Sequence, residues 1–95
     1  MNSRRVPLRF DGSSCVLRLA REGQDGWRVS FEGVDLGVLR GERVRWRDKE
    51  SRRILTTRWS YGDHEFTRRK HALLNMAFDN PKFWDALQEL TLRNL

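Results

Sequence analysis

From residue 5 to about residue 61 the chain alternates apolar and polar side chains. Val6, Leu8 and Phe10 alternate with Arg5, Pro7 and Arg9 before Asp11-Gly12-Ser13. Cys15, Leu17 and Leu19 follow, interleaved with Val16, Arg18 and Ala20, up to Glu22-Gly23. Trp27, Val29 and Phe31 lead to Gly33, and Val34, Leu36 and Val38 lead to Arg40-Gly41. Val44 and Trp46 precede the polar run Asp48-Lys49-Glu50-Ser51, and Leu55, Thr57, Trp59 and Tyr61 close the series. Alternation bounded by Gly and Asp turns marks half-buried antiparallel strands. Five or six of them in sequence predict an antiparallel meander that curls toward a barrel. Pro7 suits an edge strand, because it cannot donate to a ladder. The same alternation assigns Trp27, Phe31, Trp46, Trp59 and Tyr61 to the core side.

After Gly62 the period becomes helical. Asp63 is the expected N-cap of a first helix, with Phe66, Leu73, Leu74 and Ala77 on one stripe. Asp79-Asn80-Pro81 interrupts it. Asn80 as N-cap with Pro81 at the first helical position starts a second helix carrying Phe83, Trp84, Leu87, Leu90 and Leu95. The expected fold class is therefore α+β. One domain spans residues 1–95, strand-rich over 5–61 and helical over 63–95, with the helices lying on the apolar face of the sheet.

Charge changes this picture by being uneven. The 95 residues carry 19 Lys+Arg and 13 Asp+Glu, a formal net of +6. Residues 1–61 hold 14 basic and 8 acidic side chains (+6), and residues 62–95 hold 5 of each (0). Between Arg40 and Arg58 there are 8 basic residues against Glu42, Asp48 and Glu50, a net of +5. The basic set is almost all arginine, whose planar fork suits phosphate oxygens and aromatic faces; the lysines are Lys49, Lys70 and Lys82. A genome-wide preference for arginine codons would produce the same bias without function. Strand alternation sets Arg43, Arg45 and Arg47 opposite Val44 and Trp46. Sequential pairing would then add Arg5, Arg9, Arg18, Arg28 and Arg58 to the same outer surface.

Other chemistry is sparse. The single cysteine, Cys15, cannot make an intrachain disulfide, which fits a reducing compartment. No apolar run approaches the ~20 residues of a membrane span, and no apolar stretch follows the charged N-terminus, so the expected location is cytoplasmic. His64 and His71 lie seven residues apart and would share a helix face, yet no third metal ligand stands near them except Asp63 or Glu65. Asp63-His64-Glu65 beside Arg68 has the residue types of an acid–base site, but capping alone explains acids at a helix start. Thr67-Arg68-Arg69-Lys70-His71 reads as a solvated helix face. The glycines stand singly, so no phosphate-cradling loop is present. The expectation is a non-enzymatic protein with no catalytic residues, metal or cofactor.

Arg5-Val6-Pro7-Leu8-Arg9 resembles the RxxxR element of PilZ domains, and Ser30-Phe31-Glu32-Gly33 resembles the tail of that family's second motif, [D/N]xSxxG. The resemblance implies a six-stranded barrel that binds a cyclic dinucleotide, cyclic di-GMP. Arg28 stands where the family has Asp or Asn, and the similarity covers under 35 residues.

Two functional expectations follow from the residues themselves. The first is a binder of nucleic acid, RNA or DNA, whose Arg43, Arg45, Arg47, Arg52, Arg53 and Arg58 hold the phosphate backbone. The second is a protein-interaction module, such as a phage-type or regulatory inhibitor, docking on an acidic partner surface. Either is compatible with a homodimer formed through an edge strand.

Overall fold

The computed structural model describes residues 3–47, 49–50 and 52–94, without the side chain of Trp46. Six strands and two helices follow one another: β1 (Ser3–Phe10), β2 (Ser13–Glu22), β3 (Gly26–Phe31), β4 (Val34–Arg47), β5 (Arg53–Tyr61), β6 (His64–Phe66), α1 (Arg69–Phe78) and α2 (Pro81–Arg93). The strands pair in sequence order as one antiparallel sheet, curled into a half-barrel and followed by the helices. This is the expected α+β meander. Two of its hairpins turn on Asp11-Gly12 (φ 46° and 75°) and Glu32-Gly33 (φ 50° and 80°), the paired left-handed conformations that match strand twist.

Alternation places the core. Leu8, Cys15, Leu17, Leu19, Val29, Phe31, Leu36 and Leu39 from the sheet are buried against Ala72, Leu73, Met76 and Ala77 of α1 and Phe83 of α2. Burial of Cys15 pushes its thiol pKa up, as desolvation of a thiolate requires. Asn80 caps α2 as expected: its Oδ1 accepts from the Lys82 N–H at 3.0 Å, with Pro81 in the first turn. Among the described residues no helix is long and apolar enough to cross a membrane.

Four features depart from the sequence reading. Arg40-Gly41 is not a turn; β4 runs through it for 14 residues, joining two expected strands into one. Gly41 serves a close approach instead, since a Cβ there would lie 2.8 Å from Cζ3 of Trp59. Asp63 is not a helix cap. It lies in the tight turn from β5 into β6, and α1 starts at Arg69, capped by Arg68 with no side-chain hydrogen bond. Consequently His64 sits on a strand and His71 on a helix, so they share no helix face, and Thr67 and Arg68 precede the helix. Phe31 is buried, whereas Trp27, Trp59 and Tyr61 are only half-buried at the edge of the core. The assignment of Trp46 to the core falls on a side chain outside the described set.

The fourth departure is a β-bulge in β4. Val29 faces Gly37 while Ser30 faces Asp35, leaving Leu36 as the extra residue. Gly37 takes φ +114°, and its N–H donates to Asp35 Oδ1 at 3.1 Å. Leu36 and Leu39 are therefore both buried although they are three apart. Every residue of β4 beyond the bulge lies on the opposite face from the one simple alternation assigns.

The C-terminal end of β5 is fastened to α1 by Tyr61. Its hydroxyl donates toward Asn75 Oδ1 and toward Asp79 Oδ2, the latter at 3.2 Å, and its ring stacks on Phe66 with centroids 6.0 Å apart. Burial, then the hydrogen bond and charge of Asp79, push the phenol pKa from 10.0 up to about 12. The folded chain thus keeps a proton that the unfolded chain releases, and stability should fall as pH rises from 10.0 to about 12. The chain has one tyrosine, so ultraviolet absorbance reads this group directly. Tyrosinate should appear well above the ordinary phenol range, and Asp79→Asn should bring the transition back toward it.

Candidate nucleic-acid interface

Pairing with β3 ends at Gly26–Arg40, and pairing with β6 ends at Trp59–Phe66. From Glu42 to Arg47 and from Arg53 to Arg58, β4 and β5 have only each other as described strand partners. They leave the sheet as a two-stranded ribbon about 20 Å long. The molecule measures 56 × 30 × 23 Å with a radius of gyration of 15.4 Å. A compact domain of this length would have about 12 Å. The elongation reflects the ribbon.

Directly opposed residues share a face, so the ribbon has two distinct sides. One carries Arg43 opposite Thr57, Arg45 opposite Leu55, and Arg47 opposite Arg53. By parity this is the side on which Leu39, Gly41 and Trp59 lie, the side that the helices cover further along the sheet. The other side pairs Glu42 with Arg58 and Val44 with Thr56.

The two sides differ electrostatically. On the outer sheet face, Arg28 grips Glu22 with two hydrogen bonds, both 3.1 Å, and meets Asp35 at 2.8 Å. Arg58 bonds Glu42 at 2.7 Å and lies 3.9 Å from Glu65. The hydrogen bonds they donate to Glu22 and Glu42 are the main reason these two guanidiniums hold their protons more firmly than usual. Arg43, Arg45, Arg47 and Arg53 have no acidic partner among the described residues. Arg45, Arg47 and Arg53, with Ile54 and the largely exposed Leu55, line an open groove of about 580 Å³.

At the root of the ribbon the basic face gains aromatic rings. Trp27 stands opposite Leu39 on β3, with the guanidiniums of Arg21 and Arg4 at 5.1 and 5.6 Å from its ring centroid. Trp59 lies against the bare Cα of Gly41, whose N–H donates to the carbonyl of Asp25 at 2.8 Å. Trp27, Trp59, Arg21 and Arg43 line a cleft of about 490 Å³, which Asp25 also borders.

The six arginines singled out from sequence thus converge on one ribbon but not on one face. Arg43, Arg45, Arg47 and Arg53 share a side; Arg58 is on the other, paired with acids; Arg52 lies beside the tip, 2.8 Å from Glu50. The expected single surface that also holds Arg5, Arg9, Arg18, Arg28 and Arg58 is not formed with Arg43, Arg45 and Arg47, because the bulge at Leu36–Gly37 reverses their facing. Sequence reasoning missed Arg4, Arg21, Trp27 and Trp59 as neighbours of the basic strand. Gly37 inside a strand pattern, next to the adjacent apolar pair Val38-Leu39, was the available signal of a bulge.

Of the residues resembling PilZ motifs, Arg5 and Ser30 lie on the outer face, where Arg5 opposes Arg18 and Arg18 opposes Ser30, while Leu8 and Phe31 are buried in the core. Arg28, two residues from Ser30, is occupied by Glu22 and Asp35. Among the described residues no group of three or more His, Cys, Asp or Glu side chains is arranged to hold a metal ion. No protein-family model, curated protein or solved structure matches the chain.

Replacing Gly41 by Ala should displace the Trp59 indole, since three of its ring atoms lie 2.8–3.2 Å from the new methyl position. The expected result is altered tryptophan emission and near-ultraviolet dichroism with a loss of about 1–3 kcal/mol in denaturant unfolding. Unchanged spectra would show that the indole does not rest on Gly41.

Proposed function

We propose that this protein binds nucleic acid, with the β4–β5 ribbon as its phosphate-gripping arm. The observation that supports this most is the contrast between arginines. On the outer face Arg28 and Arg58 are tied to carboxylates, while Arg5, Arg9 and Arg18 are spread over β1 and β2; Arg43, Arg45, Arg47 and Arg53 instead line one side of a projecting ribbon with no described acid beside them. Such a row meets a polyanion at small desolvation cost, and counterion release supplies the affinity. Alternate residues along a strand are about 7 Å apart, so Arg43, Arg45 and Arg47 form a linear, regularly spaced array. A phosphate backbone is also linear and regular. An acidic protein surface has no such repeat, which favours nucleic acid over a protein partner.

The test is a salt titration with labelled RNA and DNA oligomers. Binding should be strong at ~50 mM salt and weaken steeply as salt rises, because each phosphate contact contributes about 0.9 to the logarithmic slope. Arg45→Gln with Arg47→Gln should lower that slope by about 2 and weaken binding uniformly across sequences. Arg28→Gln, whose guanidinium is already engaged, should leave slope and affinity essentially unchanged. Absence of binding to either nucleic acid at ~50 mM salt would overturn the reading, and a nuclease-resistant complex with an acidic protein would replace it.

A further inference from the structure

We infer that the cleft at the root of the ribbon is a stacking site for an unpaired base, which makes the ligand class single-stranded nucleic acid. The inference rests on the nucleic-acid reading above and narrows it.

Three observations converge on the cleft. First, Trp27 and Trp59 are both half-buried and line it together, on the same side as the ribbon's unpaired arginines. Indole faces stack on bases with little regard to base identity. Second, the rings are held in place. Trp59 rests on Gly41, where any side chain would collide with it. Trp27 is flanked by Arg21 and Arg4 at cation–π distance. Both guanidiniums lie over the indole ring, and a planar guanidinium carried on an aromatic face can itself stack on a base. Third, Asp25 borders the same cleft. Its carboxylate offsets one of the two arginines that line the cleft, Arg21 and Arg43, so the cleft attracts a phosphate less strongly than the ribbon does and leaves room for a base.

Arg43 joins the two. It lines the cleft and also begins the row that continues to Arg45 and Arg47. A strand whose base enters between Trp27 and Trp59 can therefore lay its following phosphates along the ribbon. Base pairs in a duplex are stacked on one another and keep their faces covered, so a duplex can offer only its backbone to the arginines. Every base of a single strand has a free face.

The experiment compares four ligands of equal length on the full chain at one salt concentration: single-stranded RNA, single-stranded DNA, a blunt duplex, and an abasic single strand that keeps its phosphates. Either single strand should bind about tenfold or more tighter than both the duplex and the abasic strand, and should quench tryptophan fluorescence where the abasic strand does not. Trp27→Leu, which keeps apolar bulk without a π-face, should lose about that factor on single strands and change duplex binding less than twofold. Equal affinity for the abasic and intact strands overturns the stacking site while leaving the phosphate arm standing. The abasic comparison uses the unaltered chain, so it decides the matter even if Trp27→Leu fails to fold. If none of the four ligands binds, the arm falls as well.

Discussion

One extra residue in β4 governs the arrangement of this molecule. The bulge at Leu36–Gly37 turns both Leu36 and Leu39 inward and so lets a single 14-residue strand serve two purposes. Before the bulge, Val34 and Leu36 pack under the helices. After it, the same side of the strand carries Leu39, then Gly41, then the arginines Arg43, Arg45 and Arg47. Without the bulge, Leu39 would face solvent, and the three arginines would join the outer face, where Glu42 and Glu65 already balance Arg58. The local cost is small: Asp35 Oδ1 accepts the Gly37 amide, and the Met76 methyl group lies 3.3 Å from where a Gly37 side chain would begin. A side chain at Gly37 would need both a positive φ and that space.

The basic side and the aromatic side of the ribbon root consequently coincide. This juxtaposition depends on parity, so it cannot be adjusted gradually. A strand shifted by one residue moves its whole set of side chains to the other face. The sheet then separates two electrostatic regimes. On the outer face, acids spaced across neighbouring strands meet Arg28 and Arg58, and exposed pairs of this kind add little stability. On the ribbon's other side, Arg47 directly opposes Arg53, a like-charge pair that weakens strand pairing.

Much of the fold was legible in the sequence because period-two alternation and turn chemistry are local. The strands and hairpins around Asp11-Gly12 and Glu32-Gly33 and the Asn80-Pro81 helix start all follow from residues within a few positions of each other. The failures share a cause. Arg40-Gly41 looks like a turn because glycine usually marks one, but here it accommodates Trp59 from a strand 18 residues later. Asp63 looks like a cap, but the hairpin partner Tyr61 claims the following residues for β6 before a helix can start. The bulge inverts the charge map while leaving alternation intact on either side of it. The six ribbon arginines were legible as a group because they are close in sequence. Arg4, Arg21 and Trp27 were not, because only the pairing of β1, β2 and β3 brings them to the ribbon's root.

The ribbon's marginal stability bears on the nucleic-acid binding proposed for it. Two strands without further partners are barely stable in water, and like charges along one side weaken them further. The root is firm, because Gly41 is tied to Asp25 and covered by Trp59, whereas the Arg47–Arg53 end has neither support among the described residues. A polyanion lying along Arg43, Arg45 and Arg47 removes the repulsion as it binds. In the proposed complex, part of the binding energy offsets the like-charge opposition of Arg47 and Arg53. In that proposed complex, a base held between Trp27 and Trp59 fixes the strand's start and the arginines fix its course. The same logic explains why the arginines are more useful unpaired. Carboxylates on that side would stabilise the free ribbon and compete with the phosphates for the same guanidiniums.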